Sequence, residues 1–311
     1  MKNVLIFGGT GFIGRNLCKY LLECGYTVKS FDNNERGHDN TDLPDSIEYL
    51  VGDICDYDQV IKAIEGTDIV FNLAYINGTK NFYSIPDRIL EIAAIGQLNV
   101  GKAINTIGVE KFIYASSSEA YQVPHVFPTP ESEPLKVPDP RNARFSYGGG
   151  KIFGELCTLH HVKNVTSKVI FRPHNIYGPQ MGNDHVIPEL FKKLQLLSKT
   201  GHSTLDVIGS EHNTRSFMYI DDAVRAIKLI MERGGNEEIF HIGSGIETKI
   251  ADLVASMISV SKFHVNASYN ADGHVGGVKR RFPDISRLLA LGYQNSIDLD
   301  SGLARVWESM N

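Results

Sequence analysis

Val4-Leu5-Ile6-Phe7-Gly8-Gly9-Thr10-Gly11-Phe12-Ile13-Gly14 opens the chain and sets its architecture. A compact apolar run ending in glycine reads as a parallel strand buried on both faces. A helical pattern follows through Leu17, Tyr20, Leu21 and Leu22 until Gly25 stops it, and Thr27-Val28-Lys29-Ser30-Phe31 makes a second strand ending at Asp32. Strand, glycine turn, helix, strand and acid form the βαβ unit that binds a dinucleotide. Gly8, Gly11 and Gly14 let the backbone approach a pyrophosphate, while the helix start at Phe12 and Ile13 offers free N–H groups and positive dipole. Asp32, with Asn33 beside it, suits the hydroxyls of the adenosine ribose. A 2′-phosphate there would face a carboxylate, so the expected cofactor is NAD rather than NADP. Arg15 and Arg36 are the two residues whose charge argues the other way.

Further strands follow in the same rhythm: Glu48 to Asp53, Asp68 to Ala74, Lys111 to Ala115 and Lys168 to Phe171, with helical stretches between them. This alternation predicts an α/β fold with a doubly wound parallel sheet. Pro86 opens a helical stretch to about Ile107, striped by Ile89, Ile92, Leu98 and Ile104. Gln122 to Arg144 is proline-rich and reads as an irregular connection over the crevice. Thr204 to Gly209 and Glu238 to Ile242 read as later strands, a helix is expected to begin near Val186, and Thr248 begins another.

A chain of 311 residues, 42% hydrophobic, can bury a large core. The net charge of −5, without a basic run, offers nothing to nucleic acid or an anionic membrane. No apolar span approaches a transmembrane length and the N-terminal run is too short for a signal-peptide core. The four cysteines, Cys18, Cys24, Cys55 and Cys157, lack CxxC spacing, and no metal site is expected. A cytoplasmic protein in a reducing compartment is the expectation.

The second informative stretch is Tyr147-Gly148-Gly149-Gly150-Lys151. Tyrosine and lysine at this spacing share a helix face one turn apart, which brings an ammonium near a phenol. Lowering a phenol by about three pKa units takes roughly 4 kcal/mol. One lysine in a wet site cannot supply that, whereas a bound cationic nicotinamide supplies more. The same spacing also occurs in surface pairs. Three glycines in a helix cost roughly 2–3 kcal/mol relative to alanine, which implies a close backbone approach or the end of an element.

The GxxGxxG spacing together with Tyr147-xxx-Lys151 resembles the extended short-chain dehydrogenase/reductase family, in particular its nucleotide-sugar epimerases and dehydratases. The resemblance extends over nearly the whole chain. It implies a Rossmann-type NAD-binding domain over 1–171 and, mainly over 172–311, a smaller α/β substrate lobe that returns some segments to the first domain. By that resemblance Asp53 and Ile54 hold the adenine, although Asp53 also reads as a helix cap. Leu73 and Ala74 contact the cofactor, Pro173 belongs to the loop past the nicotinamide, and Lys151 bonds the nicotinamide ribose. Tyr147, Lys151 and Ser117 are catalytic, with Ser117 bridging to the sugar hydroxyl. Glu119 sits where the dehydratases carry the base that takes a proton α to the new ketone. Ser116 and Ser118 read as turn residues, with Ser118 also offered to substrate. Asn175 and Arg215 meet the sugar or diphosphate. The arginine expected just before the terminal block is His274, so Arg280 or Arg281 has to compensate, and Arg281 is the choice. His174 reads as a packed residue.

Two other departures stand out. Tyr75 follows the Asn72-Leu73-Ala74 ending where relatives continue with alanine or glycine, and Ala93 replaces an asparagine. Asn99 matches a family asparagine. The resemblance implies a homodimer paired through the 86–107 helix and the Tyr147 helix. The expected activity is oxidation of C4 of a nucleoside-diphosphate sugar, foremost as a 4-epimerase, with dehydratase or net 4-dehydrogenase as alternatives. A non-catalytic NAD-binding sensor is the alternative of another class.

Overall fold

The computed structural model describes residues 1–35, 43–182, 185–270 and 278–311. Arg36, His274, Gly276 and Gly277 lie outside the described residues. Seven parallel strands form the main sheet. They are β1 (Asn3–Phe7), β2 (Thr27–Asp32), β3 (Glu48–Val51), β4 (Ile69–Asn72), β5 (Val109–Ala115), β6 (Val165–Pro173) and, from far along the chain, β11 (Ile239–Ile242). Their order is β11-β6-β5-β4-β1-β2-β3. The run Val4 to Phe7 is fully buried and feeds both sides of the sheet, with Val4 and Ile6 in one core and Leu5 and Phe7 in the other. That two-sided burial is why the strand reads as a continuous apolar run.

The chain reverses its direction of travel between β1 and β4, which opens a crevice beyond their carboxyl ends. Helix α1 (Phe12–Glu23) starts there, directly after the glycine turn. Helix α2 (Tyr57–Ile64) is capped by the Asp56 side chain, which accepts from the N–H groups of Asp58 and Gln59. The stretch expected as one helix from Pro86 comes in three parts. Following the short α3 (Thr79–Ser84), α4 (Pro86–Glu91) passes through a π turn at Ile92–Gly96 into α5 (Gln97–Ile107). The wider turn sets Gly96 against Ile54, where a β-carbon would lie 2.5 Å from the Ile54 side chain.

Helix α6 (Phe145–Leu156) runs straight through the three glycines, so they do not end an element. They admit close neighbours instead. A β-carbon on Gly148 would lie 2.6 Å from Nε2 of Gln122, and one on Gly150 would lie 2.0 Å from the Tyr75 hydroxyl. Farther on come the two-residue strands β7 (Ile176–Tyr177), β9 (Thr214–Arg215) and β10 (Met218–Tyr219), with β8 (Thr204–Ile208) paired in parallel to Asn266–Asn270. Helices α7 (Val186–Thr200), α8 (Ile220–Arg233) and α9 (Ile250–Ser261) cover them. Among the described residues no helix is long and apolar enough to cross a membrane.

Candidate active site

One cavity runs along the carboxyl ends of the strands. At its first end the turn after β1 is shaped by packing. Gly8 has φ 81°, and a β-carbon there would lie 2.7 Å from the Ala74 nitrogen. A β-carbon on Gly14 would lie 2.0 Å from the Gly8 carbonyl oxygen, so only glycine lets the helix start against the turn. Gly11 is different, since a β-carbon there meets only the Gly8 oxygen at 3.3 Å. Among the described residues no side chain caps α1, and Gly11, Phe12, Ile13 and Gly14 all line the cavity. This is a cradle of the kind that holds a dinucleotide pyrophosphate. Asp32 accepts the N–H of Thr10 at 3.1 Å and that of Asn34 at 2.9 Å, which fixes its carboxylate at the wall. Arg15 is turned inward; its Nε donates to the Thr10 carbonyl and Nη1 to Gln180.

Asp53 and Ile54 line the same end. Arg88 of α4 holds Asp53 there through Nη2 at 2.5 Å, and pairs with Glu35 at 3.0 Å and Glu91 at 2.6 Å. Sequence reading passed over Arg88, because nothing in the α4 pattern marks an arginine that reaches across to two loops.

The other end is built by β4, β5 and α6. Tyr147 and Lys151 are both buried and both line the cavity with Leu73, Ala74, Ser117, Ser118, Glu119, Pro173 and Asn175. The ammonium of Lys151 donates to the Ala115 carbonyl at 2.8 Å and lies 5.8 Å from the centre of the Tyr147 ring. Burial pushes this lysine down to about 7, although Glu155 on the same helix works against the shift. The Tyr147 ring stacks on Phe82 at 4.7 Å and meets Tyr75 edge to face at 5.1 Å. Nothing in the sequence marks Phe82 as a neighbour of the phenol, and Tyr75 stands out there only as the residue after Asn72-Leu73-Ala74.

Ser117 precedes a short 3-10 turn, Ser118–Tyr121, and its Oγ accepts the Glu119 N–H at 3.1 Å. Glu119 is paired with Arg281 at 2.6 Å. Burial opposes the charge of Glu119, but Arg281, with Arg144 and Arg215 beyond it, outweighs burial and holds the carboxyl below its usual range. Arg281 thus faces the cavity, whereas Arg280 is bound to Glu247 and lies over Phe127. Arg215 does not line the cavity. It donates to the Thr214 carbonyl at 2.7 Å, and burial beside Arg281 lowers it to about 10. Asn175 lies on the wall in a positive-φ conformation, φ 38°.

Behind this wall runs a buried polar chain. Ser116 donates to Glu155, which takes two bonds from Arg172 at 2.8 and 2.6 Å. Arg172 also reaches Tyr121, whose hydroxyl lies 2.6 Å from Nε2 of His241. This chain fixes the end of β6 against the serine turn. His174 is buried beside His241, and burial together with the charges around it pushes its imidazole well below the ordinary value. It does not line the cavity, as a packed residue would not. Among the described residues no group of His, Cys, Asp and Glu could hold a metal ion.

Comparison with known proteins agrees with this geometry. The chain is 26% identical over 318 residues to a UDP-glucose 4-epimerase of Mycolicibacterium smegmatis, covering 98% of this chain and 97% of the relative. It is 31% identical over 257 residues to a UDP-N-acetyl-alpha-D-glucosaminuronate decarboxylase of Bacillus cytotoxicus, covering 81% and 78%. The structure of a UDP-glucose 4-epimerase with UDP-glucose from Thermotoga maritima superposes with a TM-score of 0.87 at 26% identity, over 99% of this chain and 98% of that one. Residues 4–243 match the NAD dependent epimerase/dehydratase family, and the chain belongs to that family as an NAD-dependent enzyme.

Proposed function

We propose that this enzyme is a nucleotide-sugar 4-epimerase, with NAD held from Asp32 and Asp53 at one end of the cavity to Lys151 at the other. The observation that carries the reading is that the glycine cradle and the Tyr147, Lys151 and Ser117 group open into one cavity. When bound, NAD would supply the acceptor of the C4 hydride and, once reduced, the donor that gives it back, together with a positive charge close to the phenol. Tyr147 then takes the proton of the sugar C4 hydroxyl, with Ser117 bridging the two oxygens. Lys151 favours the phenolate by charge and offers N–H groups to the nicotinamide ribose. Phe82 and Tyr75 wall the phenol from water, which strengthens each charge interaction inside. After the keto sugar turns its other face, Tyr147 returns the proton. Asn175 meets the sugar, and Arg281 meets the diphosphate through donors other than the Nη1 that stays on Glu119, with the charge of Arg215 nearby. A guanidinium suits a diphosphate because its bonds are bidentate and charge-assisted.

The pairing of Glu119 with Arg281 favours this order of readings. A carboxylate tied to a guanidinium is not free to take a proton from carbon. If the diphosphate draws Arg281 away, Glu119 is released as a base, and the dehydratase reading follows. Epimerisation needs no such step.

The deciding experiment incubates the purified protein with UDP-, GDP-, dTDP- and CDP-sugars in deuterated water. Inversion at C4 without label at C5 supports the epimerase, whereas label at C5 supports elimination through Glu119. Persistent reduced-nicotinamide absorbance supports net oxidation at C4. Absence of turnover across the panel overturns the proposal.

The same reading divides the chain into a cofactor half over 1–171 and a mainly substrate half over 172–311, with β11 returning to the sheet of the first half. It takes the protein as a cytoplasmic homodimer. Leu90, Ile95 and Leu156 are half exposed on neighbouring helices, and a second copy laid on α4 and α6 would cover them. The four cysteines are unpaired, which fits a reducing compartment. Sedimentation of Leu90→Glu and Leu156→Glu variants tests the dimer.

A further inference from the structure

We infer that Tyr75 is a positioning residue of the Tyr147–Lys151 centre: its ring face holds the lysine ammonium, its contact with Tyr147 orients the phenol, and Gly150 and Ala93 are small in order to admit it. The inference rests on the functional reading above.

The geometry is specific. Nζ of Lys151 lies 3.9 Å from the centre of the Tyr75 ring, nearer than the 5.2 Å to Tyr114 and the 5.8 Å to Tyr147. The rings of Tyr75 and Tyr147 stand at 89° to each other. The Tyr75 hydroxyl is buried and has no hydrogen-bond partner among the described residues. It is pressed against the backbone of α6, where a β-carbon on Gly150 would lie 2.0 Å from it and 2.7 Å from the Ala93 side chain. A hydroxyl buried without a partner is costly, so what the site gains from this residue is its ring. Tyr75 and Ala93 thus meet at a single contact with Gly150.

The ring does what a carboxylate would not. An aromatic face attracts an ammonium without occupying its protons. Of the three N–H bonds of Lys151, one goes to the Ala115 carbonyl and the others stay available to a ribose hydroxyl. The groups facing this ammonium are Tyr75 from the loop after β4, Tyr114 from β5, and Tyr147 and Glu155 from α6. Glu155 is already bound to Arg172 and Ser116. Burial drives the lysine toward its neutral form, and the Tyr75 face opposes that.

The test compares Tyr75→Phe, Tyr75→Leu, Gly150→Ala and Tyr147→Phe with the parent enzyme. Lys151 is titrated directly by NMR on protein labelled with carbon-13 at lysine Cε, its signal assigned from Lys151→Gln. Steady-state rates across pH are measured on a sugar turned over by the parent. Tyr75→Phe keeps the ring and should stay within about twofold of the parent. Tyr75→Leu should lower kcat by about tenfold, with KM for the nucleotide sugar within about twofold. Its Lys151 midpoint and the alkaline limb of its rate profile should both move about one unit to lower pH, the size expected for a desolvated cation on an aromatic face. Gly150→Ala drives the ring off the lysine without deleting it and should shift the midpoint the same way, which keeps the test open if Tyr75→Leu does not fold. An unchanged Lys151 midpoint in both Tyr75→Leu and Gly150→Ala overturns the inference. So does a loss in Tyr75→Phe equal to that in Tyr75→Leu, which would assign the role to the hydroxyl. Turnover that survives in Tyr147→Phe sinks the functional reading itself; an inactive Tyr147→Phe beside a normal Tyr75→Leu sinks only the role of Tyr75.

Discussion

The carboxylate of Glu119 accepts a 2.6 Å hydrogen bond from the Arg281 guanidinium, tying the turn after β5 to the C-terminal block. Both side chains are largely buried, so removing one partner leaves a desolvated charge. Arg281→Met should destabilise the protein by about 1–3 kcal/mol, while Glu119→Gln with Arg281→Met should cost less than Arg281→Met alone. The sign with pH follows from the depressed carboxyl. The contribution of Glu119 is fully present above the ordinary carboxylate value and is lost as pH falls through its lower folded value. Urea denaturation of the parent and the two variants at neutral pH and below about pH 4 checks both statements.

The glycines of α6 give a graded prediction. A β-carbon on Gly149 would make ordinary contact with Val137 at 3.4 Å, so Gly149→Ala should stabilise by about 0.8–1 kcal/mol through helix propensity. At Gly150 the same methyl collides with Tyr75 and Ala93, and overpacking should cost about 1–3 kcal/mol net. Two thermal melts with opposite shifts are the expected outcome. Shifts of one sign at both positions would contradict the packing described.

The sheet was legible because each strand announces itself locally, as Val4 to Phe7 does by being apolar on both faces. The Gly8 turn and Asp32 were legible for a similar reason, since strand, turn, helix and acid are consecutive. What stayed hidden depends on contacts between distant segments. Tyr75 reaches Gly150, Arg88 reaches Asp53, and Arg281 reaches Glu119, and no spacing rule encodes such pairings. The π turn at Ile92–Gly96 was hidden too, because a widened turn keeps the apolar stripe that a helix shows. Arg215, expected to meet the sugar or diphosphate, instead gives Nη1 to the Thr214 carbonyl and does not line the cavity, a placement that only packing sets.

Arg88 predicts a separable effect on the cofactor. It clamps Asp53 and Glu35 at the end of the cavity opposite the chemistry. Arg88→Leu leaves three acids, Glu35, Asp53 and Glu91, without their cation, and should loosen the adenine end. The expected result is a rise of about tenfold in the Kd for NAD, with kcat at saturating NAD little changed. Arg88→Lys should recover only part, because one ammonium cannot reproduce the fork to two carboxylates. Calorimetric titration of cofactor-stripped protein measures this, and an unaltered Kd would remove Arg88 from the binding machinery.

Lys151 sets function against stability. Its folded value, near 7, lies below that of an unfolded lysine, near 10.5. Between those values the unfolded chain holds a proton that the folded chain has released, so stability rises with pH across that window. Below about pH 7 both states are protonated and the full cost of burying the ammonium is present. Lys151→Met removes that cost and should stabilise the cofactor-free protein by roughly 2–4 kcal/mol at pH 6, with the gain fading toward pH 10. The same substitution should lower turnover by at least about a hundredfold, since the phenolate loses its neighbouring charge. Denaturant melts of parent and variant at several pH values, beside their rates, measure both halves. A Lys151→Met protein less stable than the parent at pH 6 would mean that the ammonium is better compensated than its one carbonyl bond and its aromatic walls allow.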